Sequence, residues 1–221
     1  MCGRFDLHTP TGLIAETWFG QTKPVGEVHS RYNTAPGQSI TIISLKDNQV
    51  RFSFAHWGYK PAWAGEEAPK PINARAETVA SSKYFTHAFH HRRCLIPADG
   101  WFEWMATDQG KQPYYITDPS NGRSDVLFFA GIYTGDIEPG MSAAILTEPA
   151  APNLRHIHDR QPVVLDPECR WDWLNPEITE HDQVRQVAKR LDPQRLDSWP
   201  VSPRMNKPDF NDSSIIEPLQ R

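Results

Sequence analysis

Cysteine is scarce in this sequence: three residues, Cys2, Cys94 and Cys169, lie far apart with no Cys-x-x-Cys pair among them. An odd, scattered set argues against a disulfide framework and for a reducing, cytosolic compartment. No apolar run approaches the ~18 residues of a membrane helix, and the first residues are too polar for a secretory signal. Neither a P-loop nor a G-x-G-x-x-G is present, which argues against the common nucleotide-cofactor enzymes. His156-x-His158, His90-His91, Cys94 and Cys169 are metal-ligand types without zinc-type spacing, so neither metal nor cofactor is expected. Internal repeats and low-complexity tracts are absent too.

What is present points to one strand-rich domain. A chain of 221 residues is long enough to bury a real core. Eight tryptophans and ten phenylalanines exceed what such a core demands, and twenty prolines disfavour a helical bundle. The net charge of −4 argues against nucleic acid as far as the average surface goes, though the local distribution of charge matters more.

The opening Met1-Cys2-Gly3-Arg4 carries an unusual chemistry. Loss of Met1 would leave Cys2 with a free α-amine beside its own thiol. Such an amine has a pKa of about 7.7–8.0 and the thiol one near about 8.5, so both are within reach at neutral pH. Together they attack an aldehyde twice, first as an imine and then by ring closure of sulfur on the same carbon, giving a thiazolidine. Gly3 lets a substrate backbone approach closely, and Arg4 adds a permanent cation. The plainer reading is a disordered chain start without function.

Along the chain, residues 10–19 space Leu13, Ile14, Trp18 and Phe19 as a short helix. Pro36-Gly37 is a turn, and residues 40–45 and 51–57 read as strands of a hairpin closed by Lys46-Asp47-Asn48-Gln49. Trp63 sits in a Pro/Gly loop, either folded back on the core or offered as a stacking surface. Residues 81–93 read as a helix; no acidic residue stands among Lys83, His87, His90, His91, Arg92 and Arg93, so they form a candidate anion-facing patch. Strands are expected after Asp99-Gly100, with Trp101 and Glu103 on one face and Phe102 and Trp104 on the other, and at 113–117, 126–133 and 141–147. Turns fall at 108–111 and Asn121-Gly122, a loop with a short helix at 149–158, and extended chain at 160–165. Residues 166–192 are an acidic flank with helices near 167–174 and 179–191, structural and remote from any polyanion.

Two further explanations of the first residues stay open on those residues alone. Class II glutamine amidotransferases also begin Met-Cys-Gly and use the free amine as base for amide hydrolysis, though 221 residues leave no room for the synthase domain that such glutaminases feed. A non-covalent single-stranded DNA-binding module is the other. The ordered set Arg31-Tyr32-Asn33-x-Ala35-Pro36, Asn73-Ala74-Arg75-x-Glu77-Thr78, Ala98-Asp99-Gly100-Trp101-Phe102-Glu103-Trp104 and His158-Asp159-Arg160-x-Pro162 separates them. With Met1-Cys2-Gly3-Arg4 ahead, the chain resembles the SRAP family, the SOS-response-associated peptidases that process abasic sites, from residue 1 to about 200. Gln161 and Trp101-Phe102 depart from the commoner family residues without touching the chemistry.

The resemblance implies that Cys2, unmasked by autocatalytic removal of Met1, captures the ring-opened aldehyde of an abasic site in single-stranded DNA as a thiazolidine crosslink, with weaker strand-cleaving lyase activity. It implies that Asn73, Glu103 and His158 complete the site: Asn73 holding the sugar or amine, Glu103 shuttling protons if burial lifts its pKa, His158 protonating the sugar oxygen. Taken singly, Asn73 as a helix cap, Glu103 in a surface ion pair and His158 as a loop histidine are the plainer explanations. Arg4, Arg75 and Arg160 match positions that hold phosphates, and Lys83 stands where relatives often have Arg; Asn33 and Pro36, with Trp63 and Trp104, match wedge and stacking surfaces suited to a single-strand/double-strand junction. The expectation is therefore an α+β fold over residues 1–221, antiparallel sheets around a central cleft with Cys2 at its floor and helices at the periphery, acting as a monomer without membrane or metal in the nucleoid-associated cytoplasm.

Overall fold

A computed structural model describes residues 2–21, 31–120, 126–135 and 140–219. In chain order the elements are β1 (Phe5–Leu7), α1 (Thr11–Phe19), β2 (Arg31–Thr34), β3 (Ser39–Lys46), β4 (Gln49–Trp57), β5 (Asn73–Arg75) and α2 (Thr86–His91). They continue with β6 (Arg93–Ala98), β7 (Gly100–Thr107), β8 (Gly110–Thr117), β9 (Leu127–Thr134), β10 (Ser142–Pro149), β11 (Arg160–Pro162) and β12 (Val164–Leu165). Helices α3 (Arg170–Leu174) and α4 (His181–Val187) and strand β13 (Asp197–Pro200) follow.

Local chemistry accounts for the clearest hairpin. Asp47 and Asn48 both take positive φ, 53° and 58°, and Lys46 pairs with Gln49. A two-residue turn with both central residues left-handed matches the right-handed twist of its strands, and Asp and Asn tolerate that conformation best after glycine. β3 and β4 then stay in register to Ser39 and His56.

Two sheets result. One runs β13-β8-β7-β1-β2. In the other, β3, β4, β10, β9 and β6 pair in a cycle, because β9 bonds β10 as well as β6. Closing the ring removes its exposed edges. The antiparallel expectation holds except at β10, which runs parallel to both β4 and β5. That parallel contact is what carries β5, and with it Asn73, onto the ring.

The apolar run of β9 is explained by what covers each face. Phe128 meets Trp18 and Phe19 of α1 edge-on, while Phe129 meets Phe5 and Trp101 from the other sheet. Successive residues point to opposite faces, so a strand covered on both is apolar throughout. β1, a member of the first sheet, thereby packs Phe5 against Trp57 and Phe129 of the ring. At the corner from β6 into β7, a Cβ on Gly100 would lie 2.6 Å from the Ile116 carbonyl oxygen and inside the Tyr115 ring, so only glycine fits.

Several expectations shift. The helix expected over 81–93 is confined to α2, because Arg93 belongs to β6 and pairs with Ile132. The short helix expected within 149–158 is a run of turns with isolated bonds such as Leu154 N–H to Ala151 O. The acidic flank supplies α3 and α4, shorter than expected, and packs Trp173 under β6 with its indole N–H on the Cys94 carbonyl, 2.9 Å. The Asn121-Gly122 turn lies outside the described residues. No described helix is long and apolar enough to cross a membrane.

Candidate functional site

The site forms where the start of the chain is sewn onto β7. β1 pairs antiparallel with β7, Phe5 opposite Trp101 and Asp6 opposite Gly100, and Phe102 N–H donates to the Arg4 carbonyl at 2.9 Å. Extending that register brings Gly3 level with Glu103, so Cys2 arrives beside it. Cys2 is wholly buried. From the ring sheet, Asn73 Nδ2 donates to the Cys2 carbonyl at 2.9 Å, while Asn73 Oδ1 is buried with no hydrogen-bond partner. A buried acceptor left open beside Cys2 is suited to a donor arriving from a ligand or a freed amine.

Electrostatics join the remaining groups to this seam. Burial pushes the Cys2 thiol far up and the Glu103 charge adds to that, while the amino-terminal charge and the Arg4 backbone N–H oppose them. Glu103 is 2% exposed, and burial lifts its carboxyl to about 7 against the pull of the amino terminus. A carboxyl poised there gives and takes protons at neutral pH.

His158 is held below its usual value, first by burial and then by the same amino-terminal charge. Its Nδ1 accepts the Arg160 backbone N–H at 2.9 Å and also lies 2.9 Å from Asp159 Oδ1. The Asp159 side chain is 86% exposed, so water screens it, whereas the backbone donor is fixed. The neutral ring therefore carries its proton on Nε2. Asn73 is thus hydrogen-bonded to Cys2, Glu103 acts on the Cys2 thiol, and the amino-terminal charge acts on Cys2, Glu103 and His158 alike, although they come from the chain start, β5, β7 and the loop before β11.

The residues expected to contact DNA divide into two groups. Pro36, Trp63, Arg75 and Lys83 are exposed, Trp63 at 69% with an edge contact to Tyr84. Of its two open readings, the stacking surface fits that exposure. Trp104 is half-buried, its indole N–H on Asn206 Oδ1 at 2.8 Å. The others are engaged inside the protein. Asn33 is 2% exposed; its Nδ2 donates to the carbonyls of Met205, Lys207 and Phe210 at 3.0, 2.9 and 2.8 Å. Arg4 Nη1 donates to Asn33 Oδ1 at 2.7 Å and to the Met205 carbonyl at 3.1 Å. Together they strap the one-turn helix Pro203–Asn206 beside the site. Arg160 forms a two-pronged pair with Glu77.

The basic stretch also changes character. Arg93 is buried, donating to the carbonyls of Trp173, Phe89, His90 and Asn175, and desolvation lowers it to about 10. It ties α2, α3 and β6 together, leaving Lys83, His87 and His91 as the exposed members of that stretch.

Sequence reasoning missed a second buried network. Asp6 Oδ1 accepts from Tyr115 at 2.9 Å, His8 Nδ1 lies 2.7 Å from Asp6 Oδ2, and Asp99 accepts from His8 N–H, Thr9 N–H and the Thr9 hydroxyl. Asp6, His8 and Asp99 are close enough to hold an ion, yet those bonds already occupy their ligand atoms. The arrangement braces β1 from behind; of its members only Asp99 stood in a motif read from the sequence. A cavity of about 430 Å³ bounded by Glu77, Leu146, Trp173, Val184 and Arg190 lies apart from Cys2.

Comparison with known proteins bears on this geometry. The SOS response associated peptidase (SRAP) family matches residues 1–208. The abasic site processing protein YoqW of Bacillus subtilis is 36% identical, covering 98% of this chain and 99% of its own. YedK of Escherichia coli, likewise described as an abasic site processing protein, is 34% identical over 99% of this chain and 100% of that one. Among solved structures, a Bacteroides thetaiotaomicron protein superimposes with a TM-score of 0.84 at 24% identity, covering 99% of this chain and 100% of that one, a likeness of fold.

Proposed function

The chain belongs to the SOS response associated peptidase family, and from that premise we propose that it processes abasic sites in DNA by trapping them covalently on Cys2. Removal of Met1, by autocatalysis in the same site, frees the α-amine. That amine adds to the aldehyde of the ring-opened sugar, giving a carbinolamine that loses water to an imine. The thiol then adds across the C=N bond, sulfur to carbon and proton to nitrogen, and the thiazolidine is complete.

The order follows from the electrostatics. Burial holds the thiol protonated, so nitrogen attacks first and sulfur follows. Glu103, with its carboxyl at about 7, accepts the amine proton and returns one to the departing water. His158 is uncharged at neutral pH, so its Nε2–H holds the sugar oxygen, and Glu103 is the better source of the proton that opens the ring. Asn73 anchors the Cys2 carbonyl and offers its open Oδ1 to the new amine. Abstraction of the proton next to the imine carbon expels the 3′ phosphate, which is the route to a weaker lyase activity.

Single-stranded DNA is the substrate form this surface suits. Arg75 and Lys83 meet phosphates without regard to sequence. Trp63 and Trp104 offer stacking faces to unpaired bases, and Pro36, exposed at its turn before Gly37 (φ 84°), cannot pair with a base and blocks duplex at a junction. The observation that carries the reading is Cys2 bonded through its carbonyl to Asn73 and set beside a buried carboxyl near neutrality. Incubation with single-stranded DNA bearing an abasic site yields a heat-stable covalent band. The same band from Cys2→Ala would end the proposal.

A further inference from the structure

Glu77 is out of place in a surface that meets phosphates. It lies between Arg75 and Lys83, both exposed, and a carboxylate there weakens DNA binding through its charge. Its contacts supply a reason for it. Both Glu77 oxygens accept from Arg160, Oε1 from Nη1 and Oε2 from Nη2 at 2.9 Å. Nη2 also donates to the Thr147 carbonyl at 2.6 Å and approaches Thr147 Oγ1 at 3.2 Å. A planar guanidinium held by a two-oxygen fork has its orientation fixed, which a lysine would not achieve.

Those contacts join the two halves of the site. Thr147 is paired with Arg75 in the parallel ladder that carries Asn73, and its carbonyl also accepts the Ala76 N–H at 2.8 Å. Arg160 begins β11, and its backbone N–H is the donor that sets the His158 ring. From the acidic flank, Arg185 Nη2 donates to the Glu77 carbonyl at 3.2 Å, so α4 buttresses the clamp from outside.

We propose that Glu77 is a positioning residue: by clamping Arg160 against Thr147 it fixes His158 and Asn73 in one frame around Cys2. The proposal rests on the crosslinking reading, and Glu77 touches neither the substrate nor the reacting atoms. In the proposed reaction the sugar oxygen is held by Nε2–H of His158. A ring free to turn, or to move its proton to Nδ1, loses that alignment, and small misplacements in a constrained site cost about tenfold to a hundredfold in rate.

The competing possibility is that Glu77 merely masks Arg160 until a DNA phosphate displaces it. The two differ in which quantity responds. Wild type, Glu77→Gln and Arg160→Lys are compared in single-turnover crosslinking at saturating protein, with affinity for undamaged oligonucleotide measured separately and thermal melts confirming folding. The nitrogen-15 spectrum of the His158 ring reads its tautomer. Under the clamp, Glu77→Gln crosslinks at least about tenfold more slowly at saturation while its affinity holds or improves, and the ring loses its single Nε2–H signature. A saturated rate within twofold of wild type, whatever the affinity, overturns the proposal, as does a slowed rate with an unchanged His158 spectrum. If wild type forms no crosslink, the functional reading has failed instead, and the His158 spectrum still decides whether the clamp exists.

Discussion

Cys2 and Cys94 are equally inaccessible, each 0% exposed, yet they inhabit different kinds of interior. Cys94 lies on β6 in the ring, and burial is the one cause that pushes its thiol up. Its sulfur fills the gap left by Gly131, where an added Cβ would lie 2.9 Å from Sγ. Cys2 is just as desolvated, but Glu103, the amino-terminal charge and the Arg4 N–H act on its sulfur too. Burial alone silences a thiol. What distinguishes Cys2 is a polar seam between two sheets and a backbone nitrogen that becomes an amine when one residue is lost.

The sharpest break of this comparison exchanges the two roles. Cys2→Ala is expected to lose the heat-stable crosslink entirely, whereas Cys94→Ala crosslinks at the wild-type rate; denaturing gels of both variants with an abasic oligonucleotide read this directly. Next in size is Glu103→Gln, expected to slow crosslinking by about a hundredfold to ten-thousandfold as general acid–base assistance is removed.

The same substitution has an opposite effect on stability. The Glu103 carboxyl is raised from 4.5 to about 7 in the folded protein, so the folded state binds its proton more tightly than the unfolded chain. The stability this contributes is full below the unfolded value and is lost as pH rises through about 7. Glu103→Gln, neutral at every pH, should melt above wild type at pH 8 and level with it below pH 4.5. A melting difference that does not change with pH would place Glu103 in solvent.

Cys94→Ser probes the other interior. It puts a hydroxyl at a wholly buried position and should cost about 1–3 kcal/mol in chemical denaturation, with crosslinking retained. The smallest effect is expected outside both interiors. Arg75→Ala should weaken binding to undamaged single strands uniformly and reduce the salt slope of log K by about 0.7; an unchanged slope would remove Arg75 from the phosphate contacts.

The hairpin at Asp47-Asn48 was legible because turn chemistry lies within four residues, and α1 because its period does. The motifs around Cys2, Asn73, Glu103 and His158 were legible as an ordered set, as was the condition that burial must lift Glu103. Asn33 and Arg93 were not. Each reads locally as a surface polar group, and each is buried by partners far along the chain, Asn33 by the Met205 carbonyl 172 residues away and Arg93 by Trp173. The parallel approach of β10 to β5 left no periodic trace, since parallel and antiparallel buried strands show the same apolar run.

By itself the sequence determined most of the longer strands, the helix at α1 and the turn at 47–48, all properties carried by neighbouring residues. Only the tertiary structure decided which charged groups stay exposed and which are consumed in holding the protein together. It also decided that a glutamate on β7 titrates near neutrality. Desolvation and hydrogen bonding are set by whatever the chain brings back from a distance, and no window along the sequence contains them.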